Sequence, residues 1–284
     1  MSVVVTGATG HLGRLVVEAL LAGGLPPDEI VAAGRRVDTL ADLAARGVRV
    51  AAIDYAAPDT LVAAFTGADV VLLVSGSEVG QRLVQHTNVI DAAVTARVHR
   101  IVYTSAPQAD TTALILAPEH RATEVLIRAS GLAFTILRNG WYTENYLGNV
   151  EHARSTGELV ASVGAGRVAS ATRADYAAAA ARVLTEKGHE SRVYELSGDT
   201  AWGFDELAEV LGQIVGRTVA YRSLAPEEHL AALAEAGIDP GTAGFIVALD
   251  GDTRAGLLAE TSGDLGRLLG RPTTTLAEGL RAAV

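Results

Sequence analysis

The feature that most constrains the fold is a regular alternation of short β-branched runs with helical segments. The first run is SVVVTG, followed by the amphipathic GRLVVEALLAG, and the second is EIVAAGR, followed by DTLADLAARG. The alternation continues through VRVAAID, DVVLLVSG and HRIVYTSA to AFTILRN. Nearly continuous apolar strands separated by helices are typical of a parallel sheet that is covered on both faces. The pattern predicts an α/β fold with a doubly wound parallel sheet.

Three glycines follow the first strand at three-residue spacing. In TGATGHLG, Gly7 permits a tight turn, Gly10 lets the backbone approach a pyrophosphate, and Gly13 lets helix and strand pack closely. The helix N-terminus then presents unpaired N–H groups and its positive dipole end to the anion. This context favours a Rossmann-type dinucleotide site over a merely structural turn. The predicted cofactor contacts in this segment are Gly7, Thr9, Gly10, His11, Leu12 and Gly13.

The alternation is lost beyond Tyr146, which predicts a smaller C-terminal lobe. We expect residues 1–150, with a return contribution from about 171–198, to form the Rossmann domain. Residues 151–170 and 199–284 are expected to form a mostly helical lobe that contributes a lid on the substrate side. In its last segment, TLAEGLRAAV, Thr275 and Glu278 form a TxxE capping box.

Composition excludes several classes of function. The 33 acidic and 23 basic residues give a net charge of −10, which repels nucleic acid. The chain has no cysteine, so it forms neither a disulfide nor a thiolate metal site, and it has no HExxH or GxSxG motif. No apolar run approaches the roughly 20 residues of a membrane helix, and the N-terminus lacks a basic leader. We expect a soluble, cytoplasmic protein without a metal, nucleic-acid or membrane partner.

The arginines that end the second strand, in AAGRR, indicate which dinucleotide binds. Arg35 lies 22 residues after Gly13, where NAD binders carry a carboxylate for the ribose 2′-hydroxyl and an arginine suits the 2′-phosphate of NADP. NADPH is therefore the expected cofactor, with Arg36 a further contact, unless both arginines belong to a solvated surface. Asp54, which ends the third strand, either accepts from the adenine amino group or caps the following helix.

The loop after the fourth strand, VSGSEVG, supplies further candidates. Loops at the carboxyl ends of parallel strands are where ligands bind in this architecture. Ser75, Gly76 and Ser77 are therefore predicted to lie along the edge of the dinucleotide. A plain Ser/Gly turn is the alternative.

Two later motifs, RNGWYTENY and SATRADYAAAAARV, are more specific than the glycines. With GATGHLG, Arg35 and VSGSEVGQR, they give a chain that resembles the NmrA-like branch of the atypical short-chain dehydrogenases over essentially its full length. Within that branch it is most similar to the bacterial quinone reductases, and more similar to triphenylmethane reductase than to the isoflavone reductases. The resemblance implies that NADPH is bound without flavin and hands its hydride directly to a quinone.

The chain lacks the Tyr-x-x-x-Lys pair with which the wider superfamily protonates its substrates. Its only lysine, Lys187, lies in the loop-like TEKGHE, and the usual position in the fifth helix reads HRATE, from His120 to Glu124. His120 is a candidate proton donor, or else a structural or surface histidine whose helical neighbour is Glu124. A reduced ketone needs a proton at once, whereas a reduced quinone is a stabilised anion that water can protonate. The missing pair therefore favours a flat, electrophilic acceptor, reduced through proximity and orientation.

The segment RNGWYTE, which follows the sixth strand, is the candidate nicotinamide site. Asn139 and the backbone around Gly140 are suited to orient the carboxamide and ribose, with Trp141 and Tyr142 enclosing the ring. Core packing of the aromatics is the alternative, although the adjoining polar residues disfavour it. The resemblance places this segment against the nicotinamide half of NADPH. The predicted contacts are Asn139, Gly140, Trp141, Tyr142, Thr143 and Glu144, with Trp141 and Tyr142 also candidate catalytic residues.

Two more candidates precede the Ala-rich helix, in ASATRADYA. Ser170 and Arg173 are placed to meet a phosphate or ribose of the cofactor. For Arg173, a salt bridge to Asp175 or Glu144 is an equally compatible interpretation.

Two functions of different classes fit these features. The first is a flavin-free, NADPH-dependent reductase of a small quinone or dye-like acceptor. The second is a non-catalytic NAD(P)-binding redox sensor that acts through a protein partner. The aromatic segment favours the reductase, because a sensor needs no aromatic-lined space beside the nicotinamide. The sequence leaves the oligomeric state open, and a homodimer is compatible with it.

Overall fold

The computed structural model describes residues 1–284, and its largest sheet has seven strands. The strands in chain order are β1 (Val3–Val5), β2 (Ile30–Gly34), β3 (Arg49–Ala52), β4 (Val70–Leu73), β5 (Arg100–Ser105), β6 (Ala133–Asn139), β7 (Glu158–Ala161), β8 (Arg167–Val168), β9 (Arg192–Leu196), β10 (Trp202–Gly203) and β11 (Ala220–Ser223). The large sheet has the order β3-β2-β1-β4-β5-β6-β9, and the neighbours from β3 to β6 are parallel. The Ser191 N–H donates to the Phe134 carbonyl and the Gly140 N–H to the Leu196 carbonyl, each at 2.7 Å, so β9 runs in the same direction. The predicted α/β fold is confirmed.

Twelve α-helices connect and follow these strands. They are α1 (His11–Ala22), α2 (Ala41–Ala45), α3 (Pro58–Phe65), α4 (Arg82–Thr95), α5 (Ala117–Ala129), α6 (Leu147–Thr156), α7 (Arg173–Thr185), α8 (Phe204–Val215), α9 (Pro226–Glu235), α10 (Pro240–Arg254), α11 (Asp264–Leu269) and α12 (Leu276–Ala283). Three 3-10 turns lie at Pro27–Glu29, Val37–Leu40 and Thr143–Tyr146. The sequence patterns do not predict α6, α10 and α11.

The helix α1 shows why the segments between strands are helical. Its buried residues include Leu12, Val16, Val17 and Leu20, whose spacing places them on one apolar stripe. Burying each such side chain stabilises the fold by about 1.5–3 kcal/mol relative to leaving it exposed. The three valines of β1 are fully buried, so this strand, which precedes α1, lies in the core.

The connections change direction at β1. The chain moves outward from β1 to β2 and β3 and then returns to β4 on the other side of β1. In open α/β sheets, ligands bind outside the carboxyl ends of the strands at such a switch point. The carboxyl ends of β1 and β4 are therefore where a site is expected.

The chain divides into two compact units. Unit 1 consists of Met1–Asp110, Leu116–Asn139 and Arg173–Glu195, and unit 2 of Thr111–Ile115, Gly140–Thr172 and Leu196–Val284. Unit 1 contains the large sheet with α1–α5 and α7. Residues 140–150, which the sequence prediction assigns to the first domain, lie in unit 2.

Unit 2 is mostly helical and has an aromatic core. The ring of Tyr146 meets Trp202 edge-on, with 5.0 Å between the ring centroids, and Phe204 at 6.0 Å. Two small sheets pair β7 with β11 and β8 with β10. The last helix, α12, begins after Thr275, whose hydroxyl accepts from the Glu278 N–H, so the predicted capping box is confirmed.

Candidate functional site

The turn between β1 and α1 needs glycine at two positions for steric reasons. Gly7 has a φ of +62°, which side chains rarely adopt, and a Cβ at Gly13 would collide with the backbone carbonyl of Gly7. The Gly10 N–H closes the turn on the Gly7 carbonyl at 2.9 Å. Gly10 is also the N-cap of α1 and has no side chain, so no side-chain cap satisfies the N–H groups of the first turn. The turn has the shape and the donors of an anion cradle.

A cavity of about 560 Å³ opens at this turn, within unit 1. Its walls are the β1–α1 turn, the residues that follow β2 and β3, and the loop between β4 and α4. The predicted site residues that line it are Gly7, Thr9, Gly10, Arg35, Arg36, Asp54, Ser75, Gly76 and Ser77. The sequence prediction missed six lining residues, which are Gly34, Ile53, Tyr55, Val74, Glu78 and Gln85.

Arg35 lies at the wall of this cavity with its side chain 62% exposed. Its Nη1 donates to Oε1 of Glu78 at 2.9 Å. Nε2 of Gln85 donates to the other oxygen of Glu78 at 3.0 Å. Arg36 follows and is the N-cap of the 3-10 turn at Val37–Leu40. The cavity wall therefore carries the positively charged side chain of Arg35 where the sequence predicts it. It also carries the carboxylate of Glu78, which the sequence does not predict.

Asp54 also lines the cavity, but it does not cap α3. Its Oδ1 accepts from the Ala56 N–H at 2.9 Å and closes a short turn, whereas the N-cap residue of α3 is Ala57. The helix-cap interpretation of Asp54 is therefore wrong. Beside it, the hydroxyl of Tyr55 donates to the Val74 carbonyl at 2.8 Å and lies 2.5 Å from Oγ1 of Thr6. These bonds join the residues after β3 to the ends of β1 and β4.

The loop after β4 is held by side chains of α4. The Gly76 N–H donates to Nε2 of the buried His86 at 3.0 Å, and Nε of the buried Arg82 donates to the Gly76 carbonyl at 2.6 Å. Further along, the Gly80 N–H donates to Oε1 of Glu119 at 3.1 Å. Both ends of this loop are therefore anchored, which a plain Ser/Gly turn does not require.

His120, the candidate proton donor, lies in the core rather than on the surface. It is 5% exposed, and its Nδ1 is 2.7 Å from the hydroxyl of Tyr103. Burial lowers the pKa of His120 to about 3, with the nearby Arg82 and His86 acting in the same direction. The imidazole is therefore neutral near pH 7. The structure supports the interpretation as a structural histidine, although its partner is Tyr103 and not Glu124.

Glu124 instead binds the arginine that precedes Asn139. Its two oxygens accept from Nε and Nη2 of Arg138 at 2.9 and 2.8 Å, and Oε1 also accepts from Ser105 at 2.6 Å. Nη1 of Arg138 reaches Glu195 at 2.8 Å. These charge-assisted bonds fix the end of β6, and with it the backbone position of the buried Asn139.

The predicted nicotinamide segment continues in unit 2 with a locked backbone. The Ala171 N–H donates to the Trp141 carbonyl at 3.1 Å, and the Thr143 N–H donates to the Ala171 carbonyl at 2.9 Å. The side chains of Trp141, Tyr142 and Glu144 are partly exposed, whereas Thr143 is fully buried. The segment thus presents two aromatic side chains from a rigid backbone.

The two remaining candidates differ in exposure. The hydroxyl of Ser170 is buried in unit 2, where it lies 2.8 Å from Oγ1 of Thr143 and accepts from the Trp202 indole N–H at 3.1 Å. Arg173 is partly exposed and is the first residue of α7 in unit 1.

Across the 284 residues, no group of His, Cys, Asp or Glu is arranged to hold a metal ion, and no helix is both long and apolar enough to cross a membrane.

Residues 7–187 match the sequence model of a family described as NAD(P)H-binding. The chain belongs to this NAD(P)H-binding family. The matched range begins at Gly7 and contains the whole cavity, so the predicted recognition of a dinucleotide is confirmed at the level of the family.

Three known proteins are similar to this NAD(P)H-binding protein over nearly the full length of both chains. Quinone oxidoreductase 2 of Escherichia coli K12 is 46% identical over 98% of this chain and 97% of its own. Its structure in complex with NADPH matches with a TM-score of 0.94 over 99% of both chains. Triphenylmethane reductase of a Citrobacter species, complexed with NADP(H), is 38% identical with a TM-score of 0.94 over 100% of both. The NAD(P)H azoreductase of Xenophilus azovorans is 30% identical over 99% and 97%.

Proposed function

We propose that this protein is a flavin-free, NADPH-dependent reductase that transfers a hydride directly to quinones or similarly electrophilic, conjugated acceptors. The observation that carries the proposal is the 46% identity with a quinone oxidoreductase across the whole chain. Two further relatives are by name an NAD(P)H azoreductase and a triphenylmethane reductase, and azo and triphenylmethane groups are also conjugated, electrophilic acceptors. Residence in the cytoplasm and assembly as a homodimer stay predictions.

The β1–α1 turn fits the pyrophosphate of the cofactor. The first-turn N–H groups of α1 are donors that an α-helix cannot satisfy internally, and they lie beside a glycine turn that admits no Cβ at Gly13. We assign the pyrophosphate to Gly10, His11, Leu12 and Gly13, with Gly7 and Thr9 shaping the turn. Backbone donors at a helix N-terminus stabilise an anion without placing a charged side chain in the cavity.

Arg35 fits the 2′-phosphate that distinguishes NADPH from NADH. Its side chain is exposed at the cavity wall directly after β2, where a planar guanidinium can bind a phosphate through two parallel bonds. Asp54 and the loop residues Ser75–Ser77 line the same cavity and are proposed to border the adenosine. NADPH is accordingly the proposed cofactor over NADH.

We keep residues Asn139–Glu144 as the proposed nicotinamide contacts. Bound NADPH would supply a hydride. The residues of the chain then orient the two flat rings and exclude water, with Trp141 and Tyr142 as the enclosing aromatics. The backbone bonds of Trp141 and Thr143 to Ala171 keep this segment rigid, which such orientation requires. Ser170 is proposed to support Thr143 through its buried hydroxyl.

The chain has no Tyr-x-x-x-Lys pair, and its candidate donor His120 is not an acid near neutral pH, which favours an acceptor that needs no proton from such a group. His120 is buried and neutral near pH 7, because burial lowers its pKa to about 3. Lys187 is exposed beyond the end of α7 and lies in the loop between α7 and β9. An acceptor whose reduced form is a delocalised anion does not depend on such a group, because water can protonate it after hydride transfer.

The test is to follow NADPH oxidation spectrophotometrically with a panel of quinones, a triphenylmethane dye and simple ketones. We expect turnover with the quinones and the dye and none with the ketones. Wild-type enzyme with NADH, and Arg35→Ala with both cofactors, serve as matched controls. Tight NADPH binding without turnover on any acceptor would instead identify a redox sensor.

A further inference from the structure

We infer that Glu78 sets how strongly the protein prefers NADPH over NADH. Its carboxylate is bonded to the Arg35 guanidinium, with which the 2′-phosphate of NADPH would have to pair. The inference rests on the proposed function, in which Arg35 binds that phosphate. It adds a specificity-determining residue from the loop between β4 and α4, far in sequence from the end of β2. The relevant quantity is the ratio of the two dissociation constants.

Glu78 and Arg35 lie on the wall of one cavity and are bonded to each other. Nη1 of Arg35 is 2.9 Å from Oε1 of Glu78, and both side chains are about half exposed, at 62% and 46%. The second oxygen of Glu78 accepts from Nε2 of Gln85, another lining residue, at 3.0 Å. The carboxylate is therefore held from two sides and faces the same space as the guanidinium.

The loop that carries Glu78 has fixed ends. Gly76 is bonded through its N–H to His86 and through its carbonyl to Arg82, and the Gly80 N–H is bonded to Glu119. Glu78 lies midway between these anchors. The anchored loop therefore fixes the position of the Glu78 backbone, from which its side chain contacts Arg35. A side chain on an unanchored surface loop would lack this constraint.

The chemistry of the two cofactors differs only at the ribose 2′ position. A 2′-phosphate is an anion that competes with the Glu78 carboxylate for Arg35 and is repelled by it. The neutral 2′-hydroxyl of NADH neither competes for Arg35 nor is repelled by Glu78. It can donate a hydrogen bond to a carboxylate, as it does to the acidic residue of NAD binders. Glu78 therefore lowers the affinity for NADPH and leaves the affinity for NADH equal or higher.

The test is Glu78→Gln, which keeps the size of the side chain and its capacity to bond Gln85 while removing the charge. Dissociation constants of NADPH and NADH are measured by isothermal titration at one fixed ionic strength. We expect the NADPH constant to fall by about two- to fivefold, as for an exposed pair, and the NADH constant to stay equal or rise. Glu18→Gln is the matched control, because Glu18 forms a similar exposed pair with Arg46, at 2.7 Å, away from the cavity. It is expected to change neither constant.

The outcomes separate this inference from the function on which it rests. If wild-type protein binds neither cofactor, or Arg35→Ala weakens both equally, the assignment of the 2′-phosphate to Arg35 fails. If Arg35→Ala weakens NADPH selectively but Glu78→Gln leaves the ratio of the two constants unchanged, only the role of Glu78 is overturned. A ratio shifted towards NADPH in Glu78→Gln alone supports it.

Discussion

The backbone N–H of Gly76 donates to Nε2 of His86 at 3.0 Å, and this bond defines the tautomer of a buried imidazole. An accepting Nε2 places the proton on Nδ1, which is 2.9 Å from Oγ1 of Thr123. Thr123 in turn donates to the Glu119 carbonyl at 2.8 Å. Each group in this chain of hydrogen bonds therefore donates to the next, from the loop between β4 and α4 to the helix α5. A second proton on His86 would face the Gly76 N–H and break the first bond.

This relationship predicts a loss of stability in mild acid. Burial, with a contribution from Arg82, lowers the pKa of His86 from 6.5 to about 4. Between these values the unfolded chain binds a proton that the folded chain does not, so the free energy of unfolding falls as the pH falls through this window. The full effect for His86 is on the order of 3 kcal/mol. Urea denaturation at pH 7, 5 and 4 measures it.

The matched variant for this prediction is His86→Gln, whose side chain keeps an acceptor and a donor but does not titrate. Its free energy of unfolding should depend less on pH than that of the wild type. A part of the dependence remains, because burial also lowers the pKa of His120, to about 3. The same pH dependence in both proteins would show that His86 is not the titrating group.

The sheet could be predicted from the sequence because its signal is local and strong. The strands β1, β2 and β4 are buried throughout, so each reads as an apolar run between helices. The helix α10 was harder to predict, because only Ala243 and Thr253 are buried and no apolar stripe exists. Its signal lies at its start, where Asp239 caps the Thr242 N–H at 3.0 Å and Pro240 follows.

The site could be predicted only in part, for a related reason. Gly7, Gly10 and Arg35 follow known spacing rules, since the turn and the end of β2 have a fixed relation to a bound dinucleotide. Glu78 and Gln85 line the same cavity only because β4 lies directly beside β1 in the sheet. No spacing rule relates them to Arg35, so their contact depends on the folded arrangement of the sheet.

Gly13→Ala is predicted to damage the cofactor cradle itself. A Cβ at Gly13 would collide with the backbone of Gly7, and backbone atoms cannot move aside as a flexible side chain can. We expect a loss of roughly 1–3 kcal/mol in stability and weaker binding of NADPH and NADH alike. Thermal unfolding and titration measure the two effects. Gly148→Ala is the control, because the exposed Gly148 in α6 has open space at its Cβ, so alanine there should not destabilise the fold.

Arg35→Ala is predicted to change cofactor preference rather than cofactor binding in general. The Arg35 side chain is exposed at the cavity wall, so its removal should cost little stability. Because charge-assisted bonds to a phosphate are lost only for NADPH, we expect NADPH binding to weaken by about tenfold or more and NADH binding to change little. Isothermal titration of both cofactors measures this. Equal weakening of the two would mean that the arginine does not meet the 2′-phosphate.

Trp141→Ala is predicted to lower quinone turnover more than it lowers stability. Trp141 is only partly buried, and its backbone bond to Ala171 does not depend on the side chain. We expect kcat/KM for a quinone to fall by about tenfold or more, because an aromatic wall orients the flat acceptor. Tyr146→Phe is the control, since it removes the hydroxyl that bonds Trp141 but keeps the ring that packs on Trp202. It should change turnover less than Trp141→Ala does. Quinone kinetics and thermal unfolding are measured on both variants, and a large loss of stability with unchanged turnover would assign Trp141 to the core.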